Sequence, residues 1–224
     1  MCGRYVSKVE AALERAWNLR RPPPLFESYN VAPSTAVPIV RITPEGEREA
    51  VLMRWGLIPF WANGEPPKYS TINATAERIK TAPAYRGPWK RGQRCLFPVN
   101  GFYEWQAVPD RPAKQPWYIR LPDDEVFALG GLWDSSRRAD GTVVESCTIV
   151  TIPANELLAE IHNTKKRMPL ILPADAYAAW LAPDAGAAEA AIEPYPAGRM
   201  EAWPVSTYVN SPRHDDPECT SPLV

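Results

Sequence analysis

Four short stretches set polar side chains among apolar ones: MCGRY at 1–5, INATAE at 72–77, GFYEW at 101–105 and IHNTKKRMP at 161–169. The first has the most unusual chemistry. Cysteine is small enough for a methionine aminopeptidase to remove Met1, and the mature chain is then expected to start at Cys2. Its α-amine and thiol would sit on adjacent carbons, a 1,2-aminothiol that no internal cysteine offers. An α-amine titrates at about 7.7–8.0 and a thiol at about 8.5, so both nucleophiles are within reach of neutral pH. A buried structural cysteine is the bland reading of the same position.

Glu104 lies in GFYEWQ, where strand alternation puts Phe102, Glu104 and Gln106 on one face and Tyr103 and Trp105 on the other. A carboxylate wedged among aromatics is disfavoured in its charged form, which lifts its pKa toward the range useful for proton transfer. The alternative is a solvent-facing glutamate. His162 follows the apolar segment ELLAEI and precedes Lys165, Lys166 and Arg167, a placement that suits an imidazole at a helix C-terminus beside a cationic loop. A structural histidine is the competing reading. Asn73 could hold a substrate group or cap a helix over 74–80.

Trp61, Tyr69, Trp89 and Trp105 are interleaved with Arg54, Lys68, Arg86, Lys90, Arg91 and Arg94, the mixture of stacking faces and cations that single strands bind. No GxxxxGK, HExxH or GxSxG is present. The four cysteines (Cys2, Cys95, Cys147, Cys219) are far apart with no CxxC, which predicts free thiols, no disulfide framework and no zinc site. No cofactor motif is found.

The elements that must position these residues follow from pattern. Ser7 and Glu10 match a capping box, and Val9, Ala12, Leu13, Ala16 and Trp17 recur at helical spacing, predicting an amphipathic helix near the N-terminus. RRPPP ends it, and an extended loop leads to YNVAPS. AVPIVRI and AVLMRWGLI flank PEGE as two strands and a turn, and 59–72 reads as a long ordered loop. Strands are predicted at RCLFPV, GFYEWQ, PWYIRL, VFALGGLW and VVESCTIVTI, short helices at ANELLAEI and ADAYAAWL, and a last strand at MEAWPVS. The class is α+β, with a curved, barrel-like, mostly antiparallel sheet flanked by short helices.

The 224 residues fit one domain over 1–224, and 45% apolar with 23% charged residues is ordinary for a globular chain. No stretch approaches a membrane span and the start lacks a signal peptide's apolar core, so a cytosolic monomer is expected. The net charge of -1 hides an asymmetry: residues 1–100 hold 15 Lys and Arg against 8 Asp and Glu, and 101–224 hold 10 against 18. A basic surface opposite an acidic one, or charges mixed by the fold, would both account for it.

Taken together, MCGRY, YNVAPS, RWGLIPFWA, INATAE, RCLFPVNGFYEW, IHNTKKRMPLIL and VNSPRHDDPE, in this order, resemble the SOS-response-associated peptidase family, also called abasic-site processing proteins. The likeness runs from Cys2 to about residue 213. It implies a protein that binds single-stranded DNA and links covalently to abasic sites in the DNA damage response, associating with the nucleoid when bound. The family's nucleophile falls on Cys2 and its other active-site residues on Asn73, Glu104 and His162. Arg4, Trp61, Arg78, Arg86, Lys165 and Arg167 are the expected DNA-binding residues. One departure is visible: the family's usual N-A-R is N-A-T here, so Thr75 replaces an arginine whose phosphate contact is either lost or supplied by Arg78. Two rival readings stay open: a cysteine autopeptidase, and a non-catalytic single-strand or modified-base binding module.

Overall fold

The computed structural model describes residues 2–223, so the predicted removal of Met1 lies outside the described residues. In chain order the first strands are β1 (Arg4–Val9), β2 (Phe26–Val31), β3 (Ala36–Ile42), β4 (Arg48–Trp55), β5 (Asn73–Thr75), β6 (Arg94–Val99) and β7 (Gly101–Gln106). They are followed by β8 (Gln115–Arg120), β9 (Phe127–Arg137), β10 (Val143–Pro153), β11 (Arg167–Pro169), β12 (Ile171–Leu172) and β13 (Glu201–Pro204). The α-helices are short: α1 (Leu13–Ala16), α2 (Arg86–Lys90), α3 (Glu156–Ile161), α4 (Tyr177–Leu181) and α5 (Ala185–Ala190).

Strand β10 organises the sheet. It pairs with β9 antiparallel and β4 parallel, and the ladder runs β10-β4-β3-β6-β9 and back to β10, which closes a five-stranded barrel. From Ser146 to Ile152 every residue of β10 is buried, as expected of a strand covered on both faces. β5 and β11 add to the same strand farther along, at Ile149–Thr151 and Thr151–Pro153. A second sheet, β13-β8-β7-β1-β2, lies against the barrel. Its middle strands separate two apolar clusters. Tyr5 and Phe102 face the barrel core, where Tyr5 packs on Trp55 at 5.1 Å, whereas Val6 and Tyr103 face a smaller core with Tyr118, Val205 and Val209. Burying side chains of this size contributes about 1.5–3 kcal/mol each, which is why the two sheets hold their spacing.

The predicted N-terminal helix is a correction. Residues 4–9 form β1, and the only helix there is the four-residue α1, whose N-cap is Ala12 without a side-chain bond. Ser7 does not cap: its hydroxyl is buried and donates to the Pro98 carbonyl at 2.7 Å. Pairing with β2 and β7 outweighs a local helical pattern because both faces of β1 find a core. The extended loop leading to YNVAPS is also shorter than expected, since Phe26–Val31 form β2.

The segment SPRHDDPE is packed against β2. Asn30 Nδ2 donates to the carbonyls of Val209, Ser211 and His214, and Asp215 accepts from Ser28 Oγ and the Tyr29 and Asn30 amides. Two of the motifs behind the family resemblance thus meet as a clasp between β2 and the C-terminal segment. His214 stacks on Tyr208 with ring centroids 3.7 Å apart.

Candidate active site

The register of β1 on β7 pairs Arg4 with Tyr103 and Tyr5 with Phe102. Cys2 lies just ahead of this pairing, near enough to Glu104 for that charge to act on its thiol. Cys2 is fully buried, and its thiol lies 3.8 Å from the Arg4 carbonyl. The third participant comes from the barrel. β5 runs parallel to β10 with Asn73 opposite Ile149, and the Trp55 indole donates to the Ile72 carbonyl at 2.9 Å, fixing the approach to Asn73. Asn73 Nδ2 then donates to the Cys2 carbonyl at 2.8 Å. Asn73 opens a strand, so the predicted helix cap over 74–80 is replaced by a tie to the N-terminal segment; only a 3-10 turn follows, at Ala76–Arg78. Asn73 Oδ1 is buried and has no hydrogen-bond partner among the described residues.

His162 arrives through α3. Asn155 caps that helix by accepting from the Leu158 amide at 2.9 Å, and His162 is its C-cap, as the sequence predicts. The following turn, with Lys166 at φ 50°, feeds β11. It is fastened to the end of β7: Asn163 Oδ1 accepts from the Ala107 amide, Asn163 Nδ2 donates to the Ala107 carbonyl, and Gln106 donates to the Glu160 carbonyl. That fastening sets His162 Nδ1 at 3.8 Å from Glu104 Oε2. Nδ1 is also 2.8 Å from the Arg167 carbonyl. A carbonyl only accepts, so Nδ1 carries the proton and Nε2 keeps the lone pair.

Burial governs the proton affinities. Glu104 is 1% exposed, and loss of water pushes its carboxyl from 4.5 up to about 7. Burial lowers the proton affinity of His162, which favours the neutral imidazole. Burial first, and the Glu104 charge second, push the Cys2 thiol up. Burial thus holds the thiol protonated, with Glu104 as the ionisable side chain whose charge reaches it.

The expected DNA contacts divide. Arg78, Arg86 and Lys165 are exposed, and Trp61 is 46% exposed on the loop between β4 and β5. That loop is pinned from below: Ser146 Oγ accepts from the Ile58 amide, Asp134 from the Phe60 amide and Ser136 from the Gly64 amide. Gly56, at φ 118°, makes the turn into it. Arg4 and Arg167 are spent inside the fold. Arg4 donates to Asn30 Oδ1 and to the Val209 and Asn210 carbonyls, and Arg167 pairs with Glu77 and donates to the Thr151 carbonyl. Trp89 and Arg94, read as part of a stacking surface, are buried: Arg94 sits over the Trp89 ring and donates to carbonyls at the end of α4. The charge asymmetry is partly cancelled across the halves by Arg41–Glu145, Lys80–Glu189 and Arg91–Asp134 pairs. All four cysteines are free and buried. No helix among the described residues is long and apolar enough to cross a membrane.

A buried cysteine just ahead of β1, tied to an asparagine on a barrel strand and close to a carboxylate–imidazole pair, defines a thiol-bearing site where the second sheet meets a closed barrel. The SOS response associated peptidase (SRAP) pattern matches residues 1–212, and the chain belongs to that family. The Bacillus subtilis (strain 168) abasic site processing protein YoqW is 38% identical over 227 residues, covering 97% of this chain and 98% of its own length. The Gallus gallus abasic site processing protein HMCES is 32% identical over 267 residues, covering 100% of this chain and 78% of its own. Among solved structures, a crystal structure of a protein from Bacteroides thetaiotaomicron is 27% identical with a TM-score of 0.86, and each chain is covered in full. One from Bordetella bronchiseptica is 29% identical with a TM-score of 0.81, covering 92% of this chain and 100% of its own.

Proposed function

We propose that this protein processes abasic sites in single-stranded DNA by joining them covalently to Cys2. The observation that carries the reading is the convergence on Cys2 of Asn73, held to its carbonyl at 2.8 Å, and of the Glu104–His162 pair. An abasic deoxyribose equilibrates between a closed hemiacetal and an open aldehyde, and only the aldehyde accepts an amine. His162, neutral with a lone pair on Nε2, assists ring opening. The Cys2 amine, freed by removal of Met1, adds to the aldehyde, and loss of water gives a Schiff base. The Cys2 thiol then adds to the same carbon, closing a five-membered thiazolidine.

Glu104, with a pKa of about 7, serves both directions of proton transfer, as acid for the departing water and as base for the attacking amine and thiol. The Asn73 amide holds the Cys2 backbone so that less ordering remains at the moment of reaction. Its buried Oδ1 suits the α-amine or a sugar hydroxyl. Arg78, Arg86 and Lys165 grip phosphates, and Trp61 offers a stacking face.

Incubating the mature protein with an abasic oligonucleotide should yield an adduct stable to heat, and Cys2→Ala should abolish it. No adduct from the parent, with DNA binding undiminished in Cys2→Ala, leaves the non-catalytic binding reading. A parent that cleaves peptide bonds at Cys2 but never joins DNA leaves the peptidase reading.

A further inference from the structure

The reactive cluster has a neighbour that the scheme above does not use. A cavity of about 560 Å³ opens beside Asn73, walled by Tyr69, Thr75, Arg78, Ala84 and Tyr85. Its size is that of a small-molecule site, and its walls are mostly apolar with a few polar groups, the composition such sites share. Asn73 belongs to both places: the residue lines the cavity, where its carbonyl accepts from the Tyr85 hydroxyl at 3.1 Å, while its side chain donates to the Cys2 carbonyl. Tyr69, 55% exposed, presents an aromatic face, and the exposed Arg78 supplies a positive charge. The hydroxyls of Thr75 and Ser70 can exchange hydrogen bonds with either a donor or an acceptor edge.

We infer that this cavity receives the nucleobase next to the abasic sugar, stacked on Tyr69, with Arg78 paired to the intervening phosphate. The inference rests on the reading of Cys2 as the abasic-site nucleophile. Asn73 touches both Cys2 and the cavity, so a strand whose damaged sugar reaches Cys2 and continues along that side meets the cavity next. A flat heterocycle linked to an anion matches a phenol face, small apolar walls and a cation; an apolar peptide side chain would leave Arg78 and the hydroxyls unused. With Thr75 in place of a long side chain the room stays open, so recognition here extends beyond the baseless sugar itself.

The test is equilibrium binding, independent of the covalent step. Fluorescence anisotropy is measured for short oligonucleotides carrying an unreactive tetrahydrofuran at the damaged position. The 5′ or the 3′ neighbour is either a normal nucleotide or a second tetrahydrofuran. For the parent, removing the base on one of the two sides should weaken binding by about 5- to 150-fold, the worth of one base stacked on one aromatic. Tyr69→Ala should weaken binding of the base-bearing oligonucleotide to the same degree and leave the doubly baseless one unchanged. Thr75→Met, which fills the cavity without adding charge, should reproduce that pattern. The inference is overturned if neither neighbouring base matters to the parent, or if both variants weaken all oligonucleotides equally. Failure of crosslinking with intact base dependence would instead remove the thiazolidine reading and keep the pocket.

Discussion

Replacing Glu104 by glutamine should make the protein more stable at alkaline pH while slowing its chemistry. The carboxyl is 1% exposed, and burial raises it from 4.5 to about 7. A carboxyl whose folded pKa exceeds its unfolded one holds its proton more tightly in the fold. Its contribution to stability is complete below about pH 4.5 and is lost as pH climbs through about 7. At about 1.4 kcal/mol for each tenfold change in proton affinity, the gap between 4.5 and about 7 corresponds to about 3 kcal/mol. Glutamine keeps the size and hydrogen bonding of the protonated acid and does not titrate. Urea unfolding of parent and Glu104→Gln at pH 4 and pH 8 should therefore agree at the lower pH and differ by about 3 kcal/mol at the higher, in favour of the variant. The same substitution should slow single-turnover crosslinking by about 10² or more, the lower scale of general acid–base catalysis. Equal stability differences at both pH values would refute the burial argument. Crosslinking at the parent rate would make the carboxylate structural.

Asn73→Ala should leave the buried Cys2 carbonyl without its donor, costing about 1–3 kcal/mol in denaturant unfolding and slowing crosslinking; an unchanged rate would show that the 2.8 Å tie does not orient the nucleophile. His162→Ala should be more impaired on a native abasic site than on a linear aldehyde that cannot cyclise, and equal impairment on both would move its role to a step after ring opening. DNA affinity should fall with salt at a log–log slope of about -0.7 for each phosphate neutralised, so Arg78, Arg86 and Lys165 together should give a slope near -2, and a slope of zero would count against DNA as the partner.

Much of the barrel is legible because its strands, RCLFPV and VVESCTIVTI among them, are apolar runs bounded by turn residues, and tertiary pairing agrees with that local pattern. The N-terminus was misleading for the opposite reason. Ser7, Glu10 and the apolar spacing after Val9 satisfy a helix start locally, and the contacts that decide against it come from Pro98 and Asn100, more than ninety positions away. β2 was hidden because its buried Ser28 and Asn30 look like loop residues until Asp215 and the carbonyls of 209–214 satisfy them. The strand setting of Glu104 and the helix-end setting of His162 could be read from neighbours. The Cys2–Asn73 tie could not, since it depends on where β5 joins β10. The commitment of Arg167 to Glu77 and of Arg4 to the C-terminal segment was equally invisible, because a surface cation and a buried clamp have the same local sequence.

The most direct measurement is intact mass of the purified protein before and after exposure to an abasic oligonucleotide, with and without borohydride. The mature chain should lack Met1. The adduct should have the mass of protein plus DNA less one water, map to Cys2 and be unchanged by borohydride, because a thiazolidine has no carbon–nitrogen double bond to reduce. A chain that retains Met1 and still forms the adduct, or an adduct that borohydride reduces, would contradict ring closure by the Cys2 amine and thiol.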